Sequence, residues 1–183
     1  MRRALRRLAI VALAMAVLAW VTWRWLGAPQ RPEMVESVPA DSVSAGFKAA
    51  KLFFASPSGD SLVSEARDLT ETQNLHDRVT ALVHELDRGP TKNGVAALPA
   101  GTSVLHVYLD DRGLMTLDLS RAFQQGFHGG TNAEYLAVAT LVRTLAANVP
   151  EVKRVLVVCG GNPVVSLGGH LPLDRPIDVG DLP

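Results

Sequence analysis

His76, His84, His106, His128 and His170 are the residues most suited to hold a metal, but no two stand four apart and no HExxH run occurs. A helical zinc site needs such an i, i+4 pair or thiolates, and Cys159 is the single cysteine. No metal or other cofactor is therefore expected. Ser61, Ser64 and Ser166 lack the GxSxG elbow that exposes a nucleophile. Asp110 and Asp111 sit in Asp110-Asp111-Arg112-Gly113, where turn chemistry explains them better than a paired acid and base. Cys159 ends the apolar run Val155 to Cys159 and reads as a small buried hydrophobe rather than a reactive thiol. No catalytic residue is assigned.

Three constellations fit binding or bracing. Glu65 and Arg67 are two apart on an expected strand and share a face. They form either a recognition patch or, as the favoured reading, a surface ion pair of small energetic value. Gly129 and Gly130 precede a helix start, where free backbone N–H groups suit an anion. No phosphate-loop lysine accompanies them, and Thr131 with Glu134 matches a capping box, which is the favoured reading. Gly89-Pro90 and Pro99-Ala100-Gly101 frame a loop from Thr91 to Leu98. That loop fits partner contact and a passive connection equally well.

The elements that position these residues follow from periodicity. Phe47 to Phe54 and Leu62 to Leu69 read as strands around the turn residues Ser56 to Asp60, the second an exposed or edge strand. Leu75, Val79, Leu82, Val83 and Leu86 form one apolar stripe, giving a helix from about Thr72 to Asp87 that Gly89-Pro90 stops. Val104 to Leu109 and Leu114 to Leu119 form a hairpin. A short helical piece covers Ser120 to Gln125. A second long helix runs from Asn132 to about Asn148 with Val138, Leu141, Val142, Leu145 and Val149 buried. Val152 to Cys159 is apolar on both faces and reads as a central strand. Gly160 to Pro163 turns the chain into a last short strand, Val164 to Leu167, and Leu171 to Pro183 is an extended tail. The order ββαββαββ implies an α+β two-layer sandwich, a mostly antiparallel sheet with two long helices on one face.

Before that domain, Arg2, Arg3, Arg6 and Arg7 precede an uncharged run of 16 residues, Leu8 to Trp23. Extended to Leu26, past Arg24, the helix is roughly 28 Å long, close to a bilayer core of about 30 Å. Trp20, Trp23 and Trp25 mark its far end as an interfacial belt, and the arginines hold the amino terminus in the cytoplasm. Cleavage as a signal peptide is the rival reading, opposed by the Trp-Arg-Trp-Leu ending. The expected organisation is a cytoplasmic terminus over 1–7, an anchor over 8–26, a flexible linker over 27–46, a domain over 47–177 and a tail over 178–183. Five of the 18 basic residues and none of the 18 acidic ones lie within 1–26, which leaves 13 basic against 18 acidic residues in the exported part, a charge near −5. Such a domain has no electrostatic reason to bind nucleic acid.

Ordered segments of the exported part resemble the GerMN domain of sporulation and germination proteins. They include Leu52-Phe53-Phe54, Leu62 to Arg67, Leu86-Asp87-Arg88-Gly89-Pro90 and Leu98-Pro99-Ala100-Gly101-Thr102. Asp118-Leu119-Ser120, Glu134 with Leu141 to Leu145, Val155 to Gly160 and Gly169-His170 complete the set. The resemblance implies an α+β module similar to the ring-building units of envelope assemblies, without catalytic residues. It implies partners among other envelope proteins or further copies of itself, and a fixed hydrogen bond for His170 within a turn. The expected role is a non-catalytic binding or assembly module on the outer side of the cytoplasmic membrane. The alternative is a cell-wall glycan binder or envelope enzyme working through His170 or Gly129-Gly130. One domain copy, and a helix in place of a lipid-bearing cysteine, set the chain apart from the sporulation form.

Overall fold

A computed structural model describes residues 47–182 together with Met15, Ala16 and Trp20. The anchor over 8–26 otherwise lies outside the described residues, as does the linker. Among the described residues no helix is long and apolar enough to cross a membrane. Ser44–Pro183 forms one compact unit.

Two strands open this unit, β1 (Phe47–Ala55) and β2 (Leu62–Thr70), paired antiparallel over their full length as a two-stranded sheet. Helix α1 follows (Leu75–Asp87). Its start lies later than Thr72 because the Asn74 side chain accepts a hydrogen bond from the Asp77 N–H at 2.7 Å and caps it there. Gly89, at φ +83°, ends it through its N–H bond to the Leu86 carbonyl.

The second sheet is built on the expected hairpin, β3 (Val104–Leu109) and β4 (Leu114–Leu119). Asp110 makes the turn: its Oδ1 accepts from Arg112 N and Leu114 N at 2.9 and 2.8 Å. A short helix α2 (Ala122–Gln125) and the long α3 (Thr131–Asn148) lead to β5 (Arg154–Cys159). β5 pairs with β4 in parallel, unlike every other pair, because the α3 crossover returns the chain to the same end of the sheet.

Beyond β5 the chain departs from expectation. The strand after the Gly160-Gly161 turn is the two-residue β6 (Asn162–Pro163), not Val164 to Leu167. Val164 turns into the core at 1% exposure, and the Leu167 N–H bonds to a side chain instead of a ladder. The supposed tail is structured as well. β7 (Ile177–Asp178) pairs with β5, a 3-10 turn covers Val179–Asp181, and Leu173, Ile177 and Leu182 are buried.

One hydrophobic core joins both sheets and both long helices. Met115, Leu117, Leu119, Val155 and Val157 line the inner face of the larger sheet. Leu52 and Phe54 come from β1, Val79, Leu82, Val83 and Leu86 from α1, and Val138, Leu141, Val142 and Leu145 from α3. Cys159 belongs to this core, and burial together with the charge of Asp118 pushes its thiol up to about 11.

Candidate functional site

Two buried carboxylate clusters each brace a surface loop. The first gathers around Arg67 of β2. Its Nε donates to Glu65 Oε1 at 2.8 Å, and one of its terminal nitrogens makes a second, shorter bond to the same oxygen. The other terminal nitrogen donates to the Glu85 carboxylate at 2.7 Å and to the Glu85 carbonyl at 3.1 Å. A further bond reaches the Gly89 carbonyl at 2.6 Å. Glu65 in turn accepts from Thr91 N at 3.2 Å and Lys92 N at 3.2 Å. The guanidinium also stacks over Phe54, 5.4 Å from its ring centre.

This is not the surface pair that the sequence spacing favoured. The Glu65 side chain is 4% exposed and that of Arg67 11%, because α1 and the Gly89 to Lys92 segment close over them. Burial works to raise the Glu65 and Glu85 carboxyl pKa values, but Arg67, with Thr91 N on Glu65 and Arg88 on Glu85, holds both below the ordinary range. The spacing at 65 and 67 marked the pair. Glu85, on α1, carried no motif, and only its position one turn before Gly89 hints at a role.

The second cluster centres on Glu134 in the first turn of α3, whose side chain is fully buried. It does not cap the helix. Gly130 is the N-cap with no side-chain bond, and Thr131 is the first helical residue. Glu134 instead turns inward and accepts from Leu167 N at 2.8 Å, His170 N at 2.9 Å and His170 Nδ1 at 3.3 Å. Burial pushes its carboxyl pKa up, but the N–H groups of Gly168, His170, Leu167 and Leu171 outweigh that and keep it low. A side chain at Gly168 would meet Glu134 Oε2 at 3.1 Å and the Phe127 ring at 3.0 Å, so both neighbours would have to give by a few tenths of an ångström. His170 is thus held by a helix carboxylate rather than by its own turn.

Gly129 packs where a Cβ would strike Ala133 at 2.6 Å, whereas Gly130 faces open space. Beside them lies a cleft of about 440 Å³ between the Val95 to Pro99 segment, Phe127, His128 and Asn132. The extended Val95 is tied to β1 by two backbone bonds with Ala55, at 3.2 and 2.8 Å. Pro90 borders a separate groove with Arg67, Asp68, Glu85, Arg88, Gly89 and Thr91. The two clusters are distinct sites: no residue is shared between them. Among the described residues no group of three metal-ligating side chains comes together.

Residues 51–165 match the family model described as Germane, sporulation and spore germination. The chain belongs to this family. Among solved structures it is similar to the tandem GerMN domains of the sporulation protein GerM from Bacillus subtilis. That match has 18% identity and a TM-score of 0.58, over 74% of this chain and 48% of that one. The first GerMN domain of GerM alone matches at 18% identity and a TM-score of 0.55, over 73% of this chain and 99% of that one. A candidate lipoprotein from Clostridium perfringens matches at 19% identity and a TM-score of 0.53, over 75% and 91%. No curated protein sequence matches. The fold of Ser44–Pro183 is therefore that of a GerMN domain, a mixed α+β unit of two sheets and helices.

Proposed function

We propose that the protein is a non-catalytic binding and assembly module of the cell envelope, presented outside the cytoplasmic membrane by the N-terminal helix. The observation that carries this reading is the use of buried charge. Glu65, Arg67 and Glu85 fix the start of the Thr91 to Leu98 loop, and Glu134 fixes the Leu167 to His170 segment. Ionised groups already saturated by internal hydrogen bonds are poor proton donors or nucleophiles, whereas loops stiffened on a rigid scaffold lose little entropy on binding. Membership of a sporulation and germination family supports the same class of role. Similarity to a sporulation protein and to a candidate lipoprotein supports an envelope setting.

The test is crosslinking of the full-length chain in intact cells, followed by identification of what it joins. The reading expects discrete adducts with exported proteins or with further copies of the chain. Absence of adducts would contradict it. The cleft between Phe127, His128 and Asn132 favours one second reading, a wall-glycan binder, since it sets an aromatic ring beside polar groups. Sedimentation of the protein with purified wall material would favour that reading.

A further inference from the structure

We infer that the outer edge of β2 receives an extended, acidic segment of a partner chain by strand addition. This rests on the assembly reading and names the surface and the chemistry it uses.

The hydrogen-bond phase of the smaller sheet sets out the argument. Ser56 N donates to Ser61 O at 2.9 Å, so the directly bonded pairs above it are Phe54/Val63, Leu52/Glu65 and Ala50/Arg67. The residues between them turn their N–H and C=O groups outward. On β1 the outward groups of Lys51 and Ala55 and the N–H of Phe53 are engaged. Lys51 N donates to Asn148 Oδ1, Lys51 O accepts from Asn148 Nδ2, Phe53 N donates to Thr144 Oγ1, and Ala55 pairs with Val95. Helix α3 and the loop thus close that edge. On β2 the corresponding residues are Ser64, Ala66 and Asp68, and among the described residues their outward backbone groups meet no partner. The strand is unbulged and free of proline and lysine over its nine residues, and its charges are the inward Glu65 and Arg67 and the outward Asp68.

Charge selects the occupant. The Arg88 to Gly94 segment runs beside β2 on the face that Glu65 and Arg67 occupy. It leaves a groove of about 370 Å³ by Arg67 and Pro90, and another of about 250 Å³ by Val63 and Asn93. Lys92 stands exposed there with no ion-pair partner among the described residues, whereas Arg88, its side chain 64% exposed, is already paired with Glu85 at 2.9 Å. Arg67 and Arg88 together balance Glu65 and Glu85 beneath them, which leaves Lys92 as the uncompensated cation of this rim. An added strand presents alternate side chains to this rim, so an acidic residue at such a position meets Lys92. Its other side chains meet Ser64, Ala66 and Asp68, which favours small residues there.

The test uses the full-length protein in detergent and fluorescein-labelled octapeptides of alternating Val-Glu, Val-Gln and Val-Lys, read by anisotropy. The Val-Glu peptide should bind best and should protect the Ser64, Ala66 and Asp68 amides from hydrogen exchange. Ala66→Pro removes an outward N–H that the β1 ladder does not use and should weaken binding about tenfold or more. Lys92→Glu, a surface change, should weaken Val-Glu and strengthen Val-Lys by about tenfold. Equal binding of all three peptides, no binding by any, or indifference to Lys92→Glu would overturn the inference. If wild-type chain forms adducts in cells and both variants form them equally, this edge is not the contact, while the assembly reading stands. If wild-type chain forms none, the assembly reading itself falls.

Discussion

Glu134 shows how one residue type serves opposite purposes according to its surroundings. At the start of a helix a glutamate ordinarily faces water and favours the helix dipole. Here it is sealed in the core and replaces a strand ladder for the 167–171 segment. Its phase gave a clue, because Glu134, Val138, Leu141 and Leu145 lie on one helical face and the last three are core residues. The capping pattern of Thr131 and Glu134 masked that clue, since sequence spacing does not reveal which way a side chain turns. Glu134→Gln keeps the volume but sets an amide N–H₂ against backbone donors. Chemical denaturation should show a loss of about 1–3 kcal/mol. The acid limb provides a second test. The folded carboxyl pKa values of Glu134, Glu65 and Glu85 are held below the unfolded value of about 4.3. Their stabilisation is therefore present above that value and is lost as pH falls through the folded pKa values. Stability followed from pH 7 to pH 3 should hold down to about pH 5 and then drop, with a shallower drop in Glu134→Gln.

At the scale of elements, regions with strong periodicity or turn chemistry were legible and those held by side chains were not. The β3–β4 hairpin follows from Asp110 to Gly113, and both long helices follow from their apolar stripes. β6 and β7, two residues each, are too short to carry a period, and the parallel β4–β5 pairing depends on a crossover. The Arg67 cluster was half legible. Spacing put Glu65 and Arg67 on one face, but only folding places α1 and Gly89 over them. Arg67→Met would leave Glu65 buried without its cation and Glu85 with Arg88 alone, a cost of about 3–5 kcal/mol by thermal or chemical unfolding. Hydrogen exchange at the Thr91 and Lys92 amides should rise in the same variant, since Glu65 no longer holds them fixed. Asn148→Ala should cost about 0.5–1.5 kcal/mol, because the N–H and C=O of Lys51 exchange the Asn148 side chain for water.

Across the whole molecule, buried charged groups of an acidic α+β domain hold the Thr91–Lys92 and Leu167–His170 segments through hydrogen bonds. The fold class was legible because alternation, stripes and turns agree throughout the domain. Partner identity was not, because an edge of free backbone groups has no residue signature, and the rim of Arg88 and Lys92 acquires meaning only beside β2. The most direct test is site-resolved photo-crosslinking of the full-length chain in intact cells, with the reactive residue placed in turn at Ala66, Asn93, His128 and Tyr108. The account predicts adducts with exported proteins or with a second copy from Ala66 and Asn93, and few from Tyr108 on β3. Adducts at no position, or equal adducts at all four, would contradict it.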